Sequence, residues 1–402
     1  MSEKMNFAWP VTSVNREDYE EFDIWYENNK EILQDCRVAI WGAGIRGTEF
    51  SYYFKRKGFT NLFFVDSNEQ KWGGYIDEFL IVSPKELDSL RKQEKVLVLI
   101  SAENSVKIEA DLNKKNFRKN QDYFVVKTDL YEKYVAEFLR EYKNGTLVMG
   151  DCEFSKISVF DKDDRNLREM LLEKCEKEDM KVLAMHGMGL RAHYNIFRGQ
   201  IMNEMKPKRL VLMINFDTLT GKQHLLPRSQ HTELLQLLLR NMKKSDAEFE
   251  EYVALTEERS KNIQMEFFIG TEKAGGNTEV KCRNYFKLNY MYELDTETEG
   301  VRYLLKILDV ADAEGIKVIP FVPPVNYQMG RNLFGEVFEE KYNKNLQCIK
   351  RILAEREIEL LDLSYALTME CFAEPTTPDE TANEVGRGKI AKVLYEVIKE
   401  TR

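Results

Sequence analysis

The chain has 402 residues, 43% of them hydrophobic and 32% charged, a globular composition that excludes a disordered or collagen-like chain. Its 59 Lys and Arg against 68 Asp and Glu leave a formal charge of −9, so no overall basic field collects nucleic acid or anionic lipid. No apolar run reaches the roughly 18 to 20 residues that a membrane span needs. The opening Met1–Val11 has no basic stretch followed by an apolar block and is not read as a secretion signal. Six scattered cysteines (Cys36, Cys152, Cys175, Cys282, Cys348 and Cys371) form no C-x-x-C pair, which points to reduced thiols and a cytoplasmic location.

In chain order, residues 16–34 carry apolar positions at helical spacing and predict a leading helix, giving an N-terminal helical segment over 1–35. Arg37–Trp41 reads as a strand, followed by a glycine-rich turn at 42–47, a helix to about Lys57, and further strands at Leu62–Asp66 and Lys95–Ile100. Short apolar runs alternating with helical stretches predict a parallel sheet with crossover helices. A first domain therefore spans 36–143 and ends at the polar break around Asn144-Gly145. A second alternation covers 144–402. Its strands are expected at Thr146–Met149, Lys181–Ala184, Arg209–Ile214, Lys317–Val322 and Ile358–Asp362, separated by helices over 167–178, 190–205, 300–313 and 336–355 and closed by one over 387–401. The connection at 216–299 is too long for an ordinary crossover and is rich in leucine, which predicts a helical insertion.

The first domain holds Gly42-Ala-Gly44-Ile-Arg-Gly47, a G-x-G-x-x-G directly after a strand and opening a helix. The first glycine permits the tight turn, the second a close approach of diphosphate, and the third close packing of helix on strand. Asp66 ends the next strand, where an acid commonly binds a ribose hydroxyl. Gly42, Gly44, Gly47 and Asp66 are therefore the candidate cofactor-binding residues, with NAD(P) or a nucleotide-sugar as ligand. The bland alternative is that the glycines serve packing alone.

The run VAIWGAGIRG, with FFVDSNEQKWGG and IVSPKEL after it, resembles the small Rossmann-like domain attached to bacterial sugar-modifying and capsule enzymes; Trp72 and Ser83-Pro84 belong to that pattern. The domain is short for a dehydrogenase, so an oxidoreductase is the weakest reading.

In the second domain, Gly150-Asp151-Cys152 sets a nucleophile at the carboxyl end of the first strand. A following helix N-terminus would lower the thiol pKa. The next strand runs into His186-Gly187-Met188-Gly189, and the third into Asn215, so backbone N–H groups and an amide could face an oxyanion. This order resembles the SGNH/GDSL hydrolase superfamily. Gly150-Asp151-Cys152 matches its Gly-Asp-Ser block with Cys for Ser, Gly187 or Gly189 its glycine block, and Asn215 its asparagine block. Pro323-Pro324-Val325-Asn326 resembles the branch with D-alanyl transfer and alginate acetylation proteins. In the last block, Glu380 stands where the family has aspartate and Thr381 where it has histidine. His186 or Glu380 would then have to move the proton, while His193 falls further along the next helix.

The resemblance implies two three-layer, doubly wound α/β domains, Rossmann-like then SGNH (flavodoxin-like). The second would be an esterase or acyltransferase on acylated carbohydrate in surface-polysaccharide metabolism, or a catalytically degenerate ligand-binding or scaffold relative. The candidate catalytic set is Cys152, Gly187, Gly189, Asn215, His186 and Glu380. No metal motif is present, and the expected partner is a small-molecule or carbohydrate substrate, with no nucleic acid and no membrane span.

Overall fold

The computed structural model describes residues 13–101, 105–126, 130–185, 187–220, 231–261, 278–373 and 381–401. The chain divides into two compact units, residues 1–128 and 129–402. All six cysteines are free thiols. Among the described residues no helix is long and apolar enough to cross a membrane, and no cluster of three or more His, Cys, Asp or Glu could hold a metal ion.

The first unit is built on strands β1 (Arg37–Trp41), β2 (Leu62–Val65), β3 (Tyr75–Ile76), β4 (Phe79–Val82), β5 (Val96–Ile100) and β6 (Tyr123–Val125). Their order across the sheet is β3-β4-β2-β1-β5-β6. Every neighbouring pair is parallel except β3 with β4. The strands are apolar along their whole length because both faces are covered. On one face Trp41, Phe63 and Val98 pack with Leu87 of α3 (Pro84–Arg91) and Leu112 of α4 (Ser105–Lys114). On the other, Phe22 of α1 (Arg16–Gln34) meets Phe50, Tyr53 and Phe54 of α2 (Ile45–Arg56). The leading helix is thus one wall of the sandwich rather than a separate segment. Sequence periodicity did not register β3, β4 and β6, which are only two to four residues long.

The second unit carries β7 (Thr146–Gly150), β8 (Met180–Ala184), β9 (Arg209–Met213), β10 (Lys317–Val322) and β11 (Leu361–Asp362), in the order β8-β7-β9-β10-β11. All four pairings are parallel. This is the flavodoxin-like 2-1-3-4-5 arrangement. Helices α5 (Leu130–Phe138), α7 (Leu190–Met202), α11 (Glu299–Ala313) and α13 (Glu336–Ala354) share one core with Leu147, Met149, Leu210 and Leu212. Helices α6 (Leu167–Lys174) and α14 (Glu384–Glu400) cover the other face against Val148, Val182, Val211 and Phe321.

The long connection is helical where it is described: a turn at Phe216–Leu219, then α8 (Thr232–Asn241), α9 (Ala247–Lys261) and α10 (Thr278–Asn289). Leu234, Leu235, Phe249 and Phe286 bury it in the α7 core. The remaining helix is α12 (Tyr327–Phe334). One expected strand shrinks. Residues 358–360 do not pair, because Glu357 turns left-handed (φ 57°) after α13 and Ile358 N–H returns to Leu353 O. Only Leu361–Asp362 reaches β10.

Candidate active site at the sheet switch point

In the second unit β7 lies between β8 and β9, so the chain leaves the β7 and β9 tips toward opposite sides of the sheet. Open α/β sheets bind ligands at such a crevice beyond the carboxyl ends of the strands. The β7 tip is Gly150-Asp151-Cys152. A Cβ on Gly150 would stand 2.5 Å from the Phe154 ring, so only glycine lets the short 3-10 turn Cys152–Phe154 fold back over the strand. Asp151 begins that turn. Its Oδ1 accepts Glu153 N–H at 3.0 Å, and its Oδ2 accepts the Asn215 side-chain Nδ2–H at 2.9 Å across the switch point. Asn215 caps the next turn through its Oδ1, which faces Asp217 N–H at 3.4 Å. The amide is therefore pinned at both ends, with one of its two Nδ2 hydrogens committed to Asp151.

The glycine block lies on the neighbouring tip. Gly187 adopts φ 68°, a left-handed turn suited to glycine, and Gly189 is the extended N-cap of α7 with no side-chain cap. His193 lies in the first turn of α7, nearer than the sequence suggested, and is buried with Nε2 3.0 Å from Gly150 O. It ties the glycine-block helix to the nucleophile turn. The structure thus brings Cys152, Gly187, Gly189 and Asn215 to one edge of one sheet. His186 and Glu380 lie outside the described residues. Thr381, next to Glu380 in sequence, is fully buried, and its carbonyl accepts Ala373 N–H at 2.7 Å.

The electrostatics differ from the expected activation. Burial pushes the Cys152 thiol well above its ordinary range; Lys156 opposes this, and the Asp151, Glu153 and Asp217 carboxylates add to it. The expected lowering by a helix N-terminus fails because the turn is only three residues long and its leading N–H is already taken by Asp151. Among the described residues the Cys152 thiol has no hydrogen-bond partner. Burial likewise raises the Asp151 carboxyl, against the Glu153 N–H and Asn215 amide that favour its charge.

Two crevices of about 10 Å³, each of water size, open beside Glu153 under Pro323-Pro324. One is lined by Asn215, Phe216, Tyr290 and Tyr342, the other by Leu167, Phe321, Leu367 and Ile390. Sequence reading missed Glu153, the partner role of Asp151 and the placement of His193. The signal for His193 was its spacing, four residues after Gly189 and so one helical turn in.

In the first unit the glycine turn is built as its motif implies. Gly42 has φ 122°, and a Cβ on Gly47 would meet Gly42 O at 2.0 Å, whereas nothing lies within 4 Å of a Cβ on Gly44. Asp66 departs from its expected role. Its Oδ2 accepts Ala43 N–H at 2.9 Å and the Lys71 ammonium at 3.0 Å, and its Oδ1 accepts Asn68 N–H at 2.8 Å. Lys71 also donates to Ala43 O at 2.8 Å, and Trp72 Nε1 donates to Asp66 O at 2.7 Å. Both carboxylate oxygens accept hydrogen bonds from the protein itself, Oδ2 two and Oδ1 one. Space is thus open beside Gly44, while Asp66 already holds Ala43, Asn68 and Lys71.

No family model matches the chain, and no curated protein matches it. Among solved structures it is similar to a protein named as a GDSL-like lipase from Bacteroides thetaiotaomicron VPI-5482, at 10% identity and TM-score 0.35, over 68% of this chain and 98% of that one. It is also similar to one named as an acylhydrolase from Bacteroides fragilis NCTC 9343, at 9% identity and TM-score 0.34, over 68% of this chain and 95% of that one.

Proposed function

We propose that the second unit is an SGNH-like acyl-ester site, an esterase or acyltransferase working on acylated carbohydrate. The observation that carries the reading is the Asp151–Asn215 bond spanning the switch point beside Cys152. It holds an amide whose second N–H is left for an oxyanion, and a donor fixed in advance costs no reorganisation when charge develops. In the proposed reaction Cys152 Sγ bonds to the acyl carbon, the C–O bond to the sugar breaks, and the thiol proton passes to the departing sugar oxygen. Water or a second hydroxyl then takes the acyl group from sulfur. Gly189 N–H and Asn215 Nδ2 stabilise the oxyanion, and His193 keeps the Gly150 turn in place. His186 and Glu380 are the proposed proton carriers. In the same reading, the first unit presents the open face of Gly44 to a phosphate-bearing ligand such as a nucleotide-sugar.

One observation favours a second reading, a silent member that binds its ligand without turnover. Burial raises the Cys152 thiol, and Thr381, which the sequence aligns with the family's histidine, is fully buried. Turnover of p-nitrophenyl acetate by the full chain separates the two. A rate that Cys152→Ala lowers by roughly 10² or more supports the enzyme. Equal rates in the two proteins reject Cys152 catalysis on that ester and leave the binding reading.

A further inference from the structure

In the second unit a groove opens at the opposite end of the sheet from Cys152. Strands β10 and β11 pair only at Phe321–Leu361 and Val322–Asp362, and they diverge toward their amino ends. A groove of about 950 Å³ fills the wedge, within the range of ligand-sized sites. Lys317, Ile319 and Phe321 turn their backbone groups toward β9, as the Lys317 N–H bond to Lys208 O (3.1 Å) and the Ile214 N–H bond to Phe321 O (2.8 Å) fix. By strand alternation Val318 turns its N–H and C=O into the groove, and β11 does not reach it. Pro320, the next residue with that orientation, has no N–H to leave unpaired.

The floor is apolar, with Leu308, Ile316, Ile319, Leu360 and Val397. The rim is acidic: Asp312, Glu355, Glu357, Glu359 and Glu400 line it. The cation Arg356 is already paired with Asp309 at 2.7 Å, and Lys350 already holds the Asp362 carboxylate at 2.7 Å. Lys317 is then the lining cation without a carboxylate partner among the described residues. Glu357 is also held left-handed at the position after a helix where glycine is the usual residue, so a carboxylate faces the wedge at a cost in backbone strain.

We infer that this wedge is a docking site for an extended basic segment of a partner protein, with lysine or arginine alternating with apolar residues. Such a segment lies along the β10 edge, pairs with the Val318 backbone, sets its apolar side chains on the groove floor and its cations among the rim carboxylates. Charge excludes the chain's own surface as the natural occupant, since a second copy brings the same acidic rim and a net −9.

The test uses the full chain and a fluorescent peptide of roughly eight residues alternating Lys and Val, with a Glu–Val peptide as control. The Lys peptide is expected to saturate at low salt and to weaken roughly tenfold between about 20 and 200 mM NaCl. The Glu peptide should not bind, and amide exchange at Val318 should slow only with the Lys peptide. The double substitution Glu357→Lys and Glu359→Lys on this exposed turn should cost roughly tenfold or more in affinity. Leu360→Trp, which fills the floor and leaves the rim charges unchanged, should do the same. Absence of saturable binding, equal binding by the charge-reversed chain, or calcium alone giving the same Val318 protection would each overturn the proposal.

Discussion

Asn215→Ala tests the switch-point geometry most directly. The substitution removes the Nδ2–H donor, 2.9 Å from Asp151 Oδ2, and leaves that oxygen with no replacement in a site where Asp151 is 2% exposed. Losing a partner to a buried charged acceptor costs about 1–3 kcal/mol. The cost depends on pH in a defined direction. The folded Asp151 carboxyl is already raised by burial, and losing Asn215 raises it further. A group raised in the folded state contributes its stability at low pH and loses it as pH rises through the folded value. The gap between wild type and Asn215→Ala should therefore be largest near neutrality and shrink in acid, where the carboxyl is protonated. Hydrogen exchange at β7 and β9 amides is the assay, since two units need not unfold together and a whole-chain melt would blur the second with the first. Should the amides be equally protected in both proteins at neutral pH, or the gap widen in acid, the Asp151–Asn215 bond does not hold the tip. In the same preparation, ester turnover should fall by roughly 10² to 10³ if Asn215 also serves an oxyanion, and be unchanged in a silent binder.

Three further outcomes follow from single groups. Lys181 is buried, its ammonium donating to Phe138 O at 3.4 Å and also to Arg140 O, and burial pushes it down to about 8. Between about pH 8 and its ordinary value near 10.5 the unfolded chain holds this proton and the folded chain does not. The stability of wild type relative to Lys181→Met should therefore climb through that window, by up to about 3 kcal/mol on β8 amides, and a flat or falling difference would refute the assignment. Asp66→Asn should speed exchange at the Ala43 amide while leaving the affinity for UDP or NAD, measured by calorimetry, within roughly threefold. A tenfold loss of affinity with no change in exchange would restore Asp66 as a ribose reader. Cys152 should alkylate with iodoacetamide at pH 8 at least about tenfold more slowly than glutathione; a faster rate would show a thiolate that its burial ought to disfavour.

Much of the architecture could be read before any coordinates. Val38–Trp41, Leu147–Met149 and Leu210–Met213 are continuous apolar runs because parallel strands under two helical layers have no wet face, and such runs announce themselves. The elements that went unseen had little local signal. Strand β3 has two residues and β6 three, too short for a period. The loss of 358–360 from β11 depends on a left-handed Glu357, a conformation that composition would assign to glycine or asparagine. Placement of Cys152, Asn215 and the two glycines at one sheet edge followed from strand order alone. The direction of the thiol's pKa did not, because it comes first from burial of the Cys152 turn, which composition does not show, and only then from the Asp151, Glu153 and Asp217 carboxylates.

Asp66 and Asp151 make the same point from two separate units. Each is the acid that a motif places at a strand tip. Each spends its oxygens on its own chain: Asp66 on the N–H groups of Ala43 and Asn68 and the Lys71 ammonium, Asp151 on Glu153 N–H and the Asn215 amide. A carboxylate beside unpaired backbone donors is stabilised by taking them, and a ligand must then compete with a bond already made. What remains at either tip is of donor character: the open Gly44 backbone in the first unit, and Gly189 N–H with the second Asn215 hydrogen in the second. In the proposed reading these donors face a phosphate in the first unit and a developing oxyanion in the second, where they work against the Asp151, Glu153 and Asp217 carboxylates. For the carbohydrate proposed as substrate, recognition then falls to other groups, and substitution of Glu153, which lines the crevice beneath Pro323-Pro324, should change the ratio of sugar-ester to aryl-ester turnover.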